Sequence, residues 1–214
     1  MNIQKPQKII IDKLQKIENL LQEIQNNDEL ENIFLENYNQ ENIEFYDINF
    51  EKSIIQNSQI TNSNLEKNSF TDIEFKNCNF SNTSFERCSF IRCEFLNCKM
   101  TGCNFIESRF YNVIFKESNL NYSNMSMASI ENAEFNNTGV RNAAFQENKL
   151  RNIILKQSDF TQAQFFKTKL NNIDFSDCNI EGIAVSLEDI KGATINQFQA
   201  VDLLDLLGVK LSDK

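Results

Sequence analysis

Every fifth residue from Phe45 to Ile195 is apolar, 31 consecutive positions without a slip, and sixteen of the nineteen Phe lie in that register. A period of five fits neither a helix at 3.6 nor a strand at 2, and marks a repeat array. The position two residues before each apolar one is compact: Ser58, Ser63, Cys78, Cys88, Cys93, Cys98, Cys103, Ser108, Ala128, Ala133, Ala143, Ser158, Ala163 and Cys178. The other three positions of each five are mostly polar. Side chains two apart on an extended chain share a face, so the compact residue and the large one point inward together and the polar pair lets the backbone turn. Five residues make one side of a polygon.

Columns at a spacing of twenty give the number of sides. Asn112, Asn132, Asn152 and Asn172 align, as do Asn57, Asn77 and Asn97, Phe50, Phe70, Phe90 and Phe110, and a core stack of Phe75, Phe95, Phe115 and Phe135. Identical side chains one strand apart stack favourably in parallel register. Four sides per turn follow, and the array makes roughly 7.75 coils, ~37 Å long at the ~4.8 Å strand spacing.

The quintets Ser-Asn-Leu-Glu-Lys (63–67), Cys-Asn-Phe-Ser-Asn (78–82) and Ser-Asp-Phe-Thr-Gln (158–162) resemble the pentapeptide repeat family. The resemblance covers residues 43–197 and implies an all-β solenoid, the right-handed quadrilateral β-helix, with a filled interior. The stretch 180–209 is similar to the C-terminal end of the topoisomerase-protecting Qnr- and MfpA-like members. Residues 197–207 have helical character, and the resemblance implies that this terminal helix caps the last coil and joins two subunits, here through Phe198, Val201, Leu203, Leu204, Leu206 and Leu207. The alternative is a cap that uses all of them itself. Gly208 stands where that helix stops, and Val209 to Leu211 alternate like a short strand.

At the other end, Ile10, Leu14, Ile17, Leu21 and Ile24 are spaced four, three, four, three, which predicts an amphipathic helix over 7–26. An array exposes its first coil, so a capping role is favoured over self-association. Residues 27–42, with Asp28, Glu29, Glu31, Glu36 and Glu41, read as an acidic connector with room for a short second helix. The chain divides into an N-terminal helix and connector (1–42), the repeat β-helix (43–197) and a C-terminal capping or dimerisation segment (198–214), with α-helical caps at both ends.

Composition changes this picture little. A mean hydropathy of -0.44 with abundant Asn suits a disordered chain, but the strict period arranges the apolar minority for burial. No stretch reaches the ~18 apolar residues of a membrane span, and the N-terminal lysines flank only a three-residue Ile run, unlike a signal peptide. All six Cys sit at the inward compact position, a packing preference suited to a reducing cytoplasm. With no His, no Gly-rich phosphate loop and carboxylates mostly on outward positions, catalytic, cofactor and metal sites are not expected.

Function then belongs to the outer surface. The family resemblance implies a bacterial, cytoplasmic DNA mimic that binds a type II topoisomerase, DNA gyrase or topoisomerase IV. The candidate partner surface is Glu44 and Asp47 at one end and Asp174, Asp177, Glu181, Glu188 and Asp189 at the other. Glu188 falls on a nominally inward position, so the last coil is expected to be loose there. The net charge of -9 is far below that of DNA, which carries one charge per ~1.7 Å, and the uninterrupted register lacks the projecting loops of the quinolone-protecting members. The alternative is a general protein-interaction scaffold whose partner is unrelated to DNA. The most basic patch, Lys149, Arg151, Lys156, Lys167 and Lys169, is too small for direct nucleic-acid binding.

Overall fold

The computed structural model describes residues 3–7 and 9–209. The chain winds as a four-sided parallel β-solenoid in which each residue pairs with the one twenty positions on: Phe50 with Phe70, Phe70 with Phe90, Phe90 with Phe110. Two adjacent sides of each coil merge into one eight-residue strand: β5 (Asn49–Gln56), β7 (Ser69–Lys76), β8 (Ser89–Leu96), β9 (Arg109–Lys116), β10 (Ser129–Asn136) and β11 (Lys149–Lys156). These stack in chain order as one sheet, bent at the corner in the middle of each strand. On the other two sides, apart from the short pair β4 (Asn39–Glu41) and β6 (Gln59–Thr61), single bridges such as Asn64 to Ser84 alternate with tight turns.

The corner is a left-handed residue. Every fifth position from Asn32 to Asn172 has φ between 46° and 69°, and all but Gly102 carry a side chain. Half of these residues are Asn, which tolerates this region, and none is β-branched, the type that tolerates it least. This explains the abundance of Asn better than general polarity does.

Inside, Phe rings form the columns expected. Phe95 stacks on Phe75 at 4.6 Å and on Phe115 at 5.1 Å, and Phe115 stacks on Phe135 at 5.0 Å. Rings from neighbouring sides meet edge to face, Phe75 against Phe80 at 5.6 Å, the two arrangements that the ring quadrupole favours.

The N-terminal region departs from the expected helix. Residues 7–26 form a 3-10 turn (Ile11–Lys13), a strand β1 (Gln15–Ile17) and a five-residue helix α1 (Leu20–Ile24) whose N-cap Asn19 accepts from Gln22 N. The open edge of the first coil offers backbone partners that an isolated helix cannot match: β1 pairs in parallel with β3 (Ile33–Glu36). Ile17 and Leu20 close the end of the core, whereas Ile10 stays about half exposed. The acidic stretch is itself a coil. β2 (Glu29–Glu31) pairs with β5, Leu30 and Leu35 point inward, and Gln40, which interrupts the apolar run, is exposed. Residues 3–7 lie as a strap across the outside of the sheet, along its corner. Gln4 N donates to Asn112 Oδ1 at 3.3 Å, Lys5 faces Glu94 at 3.9 Å and Gln7 N donates to Asp72 Oδ1 at 2.9 Å.

The stack contains one fault. Residues 169–177 continue the five-residue register above β11, but no backbone hydrogen bond joins them to residues 149–157. Instead 171–172 make a tight turn, and β11 ends the sheet. On these two sides the layers hydrogen-bond only through side chains, Thr168 Oγ1 accepting from Asn148 N and Asp177 Oδ2 from Gln157 N. Leu150, Ile153 and Leu155 are therefore half-buried, and with Phe175 they border an apolar pocket of about 20 Å³.

Helical caps are minor. α2 (Leu187–Ile190) replaces one side of the last coil, and the helix expected over 197–207 is α3 (Gln199–Asp202) followed by a 3-10 turn (Leu204–Leu207). Gln199, 5 % exposed, anchors this end: its Nε2 donates to the carbonyls of Phe175 and Cys178. Val209 is not in a strand, and residues 210–214, where the rest of the expected strand falls, lie outside the described residues.

Candidate interaction surface

The inward compact positions do more than pack. Ser108 Oγ donates to Phe85 O at 2.7 Å and accepts from Cys88 N at 3.1 Å, and Ser118 and Thr168 bridge coils in the same way. The cysteines take half of that role, Cys88 Sγ reaching Leu65 O and Cys103 Sγ reaching Phe80 O. All six are free thiols. Burial pushes Cys88, Cys93 and Cys103 up to about 12. In the stacked pair, burial and Cys78 push Cys98 well up, while Cys78 is drawn down because the Cys98 thiol donates to it. Thiols held neutral are poor nucleophiles and poor metal ligands. Among the described residues no group of three or more His, Cys, Asp or Glu is placed to hold a metal ion, and no helix is long and apolar enough to cross a membrane.

The wall is a set of ladders. Asn77 Nδ2 donates to Asn57 Oδ1, Asn97 Nδ2 to Asn77 Oδ1 and Asn152 Nδ2 to Asn132 Oδ1. Opposite charges also meet one coil apart: Arg87 with Glu107, Lys52 with Glu31, Lys167 with Glu147 and Arg151 with Glu131. The Arg92 pair with Asp72 is buried on the acid's side, Nε and Nη2 clasping the carboxylate at 2.6 and 2.7 Å. Exposed pairs add little stability, but they cancel the field that a row of acids would otherwise project. The basic patch is likewise largely paired, Lys156 with Glu134 and Lys169 with Asp189.

The candidate acids fall into two groups. Glu44, Asp47, Asp174, Asp177, Glu181 and Glu188 are exposed. Glu188 reaches water because α2 carries it outward, and its hydrogen bond with Lys191 holds its carboxyl below the ordinary range. Asp174 is also lowered, by hydrogen bonds from Ser176. Asp189 differs. Only 6 % exposed, it accepts from Ser186 Oγ and Lys167 N, and these contacts make it a brace of the last coil.

The residues expected to join two subunits divide as well. Phe198 and Val201 are exposed at 77 % and 50 %, so this end of the rod presents apolar side chains in a patch. Leu203 and Leu206 instead pack on this chain's own core, and Leu204 is half-buried. The Leu207 side chain lies outside the described residues.

The family model described as Pentapeptide repeat region matches residues 68–143 and 88–158, and that described as Pentapeptide repeats (8 copies) matches 141–182. Together they span more than half of the chain. No curated protein sequence matches it. Among solved structures, it is similar to HetL, a pentapeptide repeat protein involved in heterocyst differentiation regulation from the cyanobacterium Nostoc sp. strain PCC 7120. That pair is 12% identical over 82% of this chain and 92% of that one, with a TM-score of 0.48. Another is QnrB1, a plasmid-mediated fluoroquinolone resistance protein, 17% identical over 86% of this chain and 98% of that one, with a TM-score of 0.42.

Proposed function

The chain belongs to the pentapeptide repeat family, and from that premise we propose that it is a non-enzymatic rod that binds a protein partner along its outer wall. One observation carries this reading: the interior is filled by stacked rings and bridging hydroxyls, so the groups able to meet another molecule stand on the wall, at fixed intervals of one coil. A rigid array of that kind positions side chains without the ordering cost of a loop. Its free, neutral thiols suit a reducing, cytoplasmic setting. The test is site-specific photocrosslinking in the native host from one exposed position on each side: Arg141, Arg151, Lys156 and Phe166. The same protein crosslinked from one side and not from the opposite one supports the reading. No crosslinked protein from any of the four positions overturns it.

A second reading is a binder of a type II topoisomerase such as DNA gyrase. The apolar patch of Phe198 and Val201 favours it, since two copies meeting there would double the rod and gather Asp174, Glu181 and Glu188 at the junction. The charge ladders weigh against it, because paired acids do not mimic a phosphate row. Inhibition of gyrase supercoiling by the purified chain, abolished by Asp174→Asn, Glu181→Gln and Glu188→Gln together, is the expected result. Full supercoiling at high micromolar chain would exclude this reading.

A further inference from the structure

The strap of residues 3–7 is a ligand that the chain already carries. Its two anchoring N–H groups are three residues apart, ~9 Å along an extended chain held by Pro6 at ~3.1 Å per residue. Their acceptors, Asn112 and Asp72, are two coils apart, ~9.6 Å at the strand spacing. Lys5, between the anchors, meets Glu94 at the level of the intervening coil. The face therefore matches the repeat of an extended peptide running across its strands. The strap also changes what it covers: Asp72 and Asn112 are 0 % and 2 % exposed, whereas Asn132 and Asn152 in the same column are half-buried and exposed. Yet its hold is slight, two hydrogen bonds and one long ion pair in which Lys5 is mostly in water. Segments held so lightly open readily.

We propose that the outer face of β7, β8 and β9, along the corner that bends them, is a docking surface for an extended, lysine-bearing peptide segment of a protein partner, kept closed in the isolated chain by residues 3–7. This rests on the reading of the chain as a protein-binding rod and names one side of it. The partner's backbone N–H groups take Asp72 and Asn112, and its lysine takes Glu94. An attached strap competes at an effective concentration on the order of millimolar, so only a segment presented nearby or with added contacts displaces it.

The test uses the full chain and a fluorescent synthetic peptide of residues 1–14, read by anisotropy. In one variant, Gln4→Pro and Gln7→Pro remove the two N–H donors and Lys5→Glu reverses the charge, leaving the face intact. This variant should bind the peptide at least tenfold more tightly than the wild-type chain does. Adding Glu94→Lys should reverse that gain, and a peptide carrying Lys5→Glu should restore it. Asn112→Gly, which keeps the left-handed corner and removes the amide, should weaken binding, with an unchanged far-UV circular dichroism spectrum as the check that the coil is intact. Equal binding to both chains, no binding to the strap variant, or binding indifferent to Glu94→Lys would overturn the proposal. A failure here leaves crosslinks from Arg141 or Phe166, on other sides of the rod, unaffected.

Discussion

Asn77 tests the corner directly. It is exposed, has φ 53°, and stands in the middle of a ladder, donating to Asn57 at 3.0 Å and accepting from Asn97 at 2.9 Å. Asn77→Val forces a β-branched residue into the left-handed region, which costs ~2 kcal/mol. It also removes two solvent-exposed hydrogen bonds worth ~0.5 kcal/mol each, for a total of ~3 kcal/mol. Asn77→Gly loses the same bonds and adds ~0.5 to 1 kcal/mol of chain entropy, but carries no strain, for ~1.5 to 2 kcal/mol. The expected order of stability is Asn, then Gly, then Val, measured by urea unfolding followed by far-UV circular dichroism. An ordinary strand position ranks the last two the other way, because strands favour Val over Gly. Val equal to or above Gly would refute the corner as the element that sets the sequence.

Phe95→Ala should cost ~4 to 5 kcal/mol, the upper part of the range for such truncations, because the coils above and below are pinned and cannot collapse into the space; a loss under ~1 kcal/mol would contradict the stack. The buried thiols predict alkaline weakening: they ionise near 9 when unfolded but only near 12 in the fold. The folded chain thus binds protons that the unfolded chain has released, and stability falls as pH rises from about 9 towards 12, by ~1.4 kcal/mol per pH unit for each thiol. Ser at Cys88, Cys93 and Cys103 together should flatten that slope while keeping the bridge to the coil below, and an unchanged slope would show that these thiols are not its source. At the C-terminal end, the wild type should run as a dimer and Phe198→Glu with Val201→Glu as a monomer of unchanged melting temperature; light scattering that finds a wild-type monomer removes the end patch as an interface.

The side-chain pattern reads inward and outward directions well, and so the four sides, the columns and the Phe stacks were legible before any coordinates. It reads backbone partners poorly. Leu170 and Phe175 keep the five-residue register and are buried, yet the hydrogen bonds beneath them are missing. The first coil was hidden by Gln40, although Glu31-Asn32, Glu36-Asn37 and Glu41-Asn42 already repeat at five and mark its corners. In residues 7–26 a spacing of four and three satisfies a helical seam, but the nearby unpaired edge of β3 decides the outcome. Among the candidate acids, Asp189 looked like its exposed neighbours because sequence position does not show that Ser186 and Lys167 turn towards it.

The fault above β11 makes the rod mechanically uneven. Pulled from its two ends, a stack of hydrogen-bonded coils shares the load among many parallel bonds per layer. At this one layer the two sides above β11 hold only through side-chain bridges from Thr168 and Asp177, and the load falls on the other two sides, which keep backbone bonds such as Val140 N to Asp159 O and Phe160 N to Asn179 O. The first rupture should open this layer on the two sides above β11 and leave the strands from β5 to β11 standing. Stretching a single molecule should therefore show a small early extension, followed by a larger one at higher force.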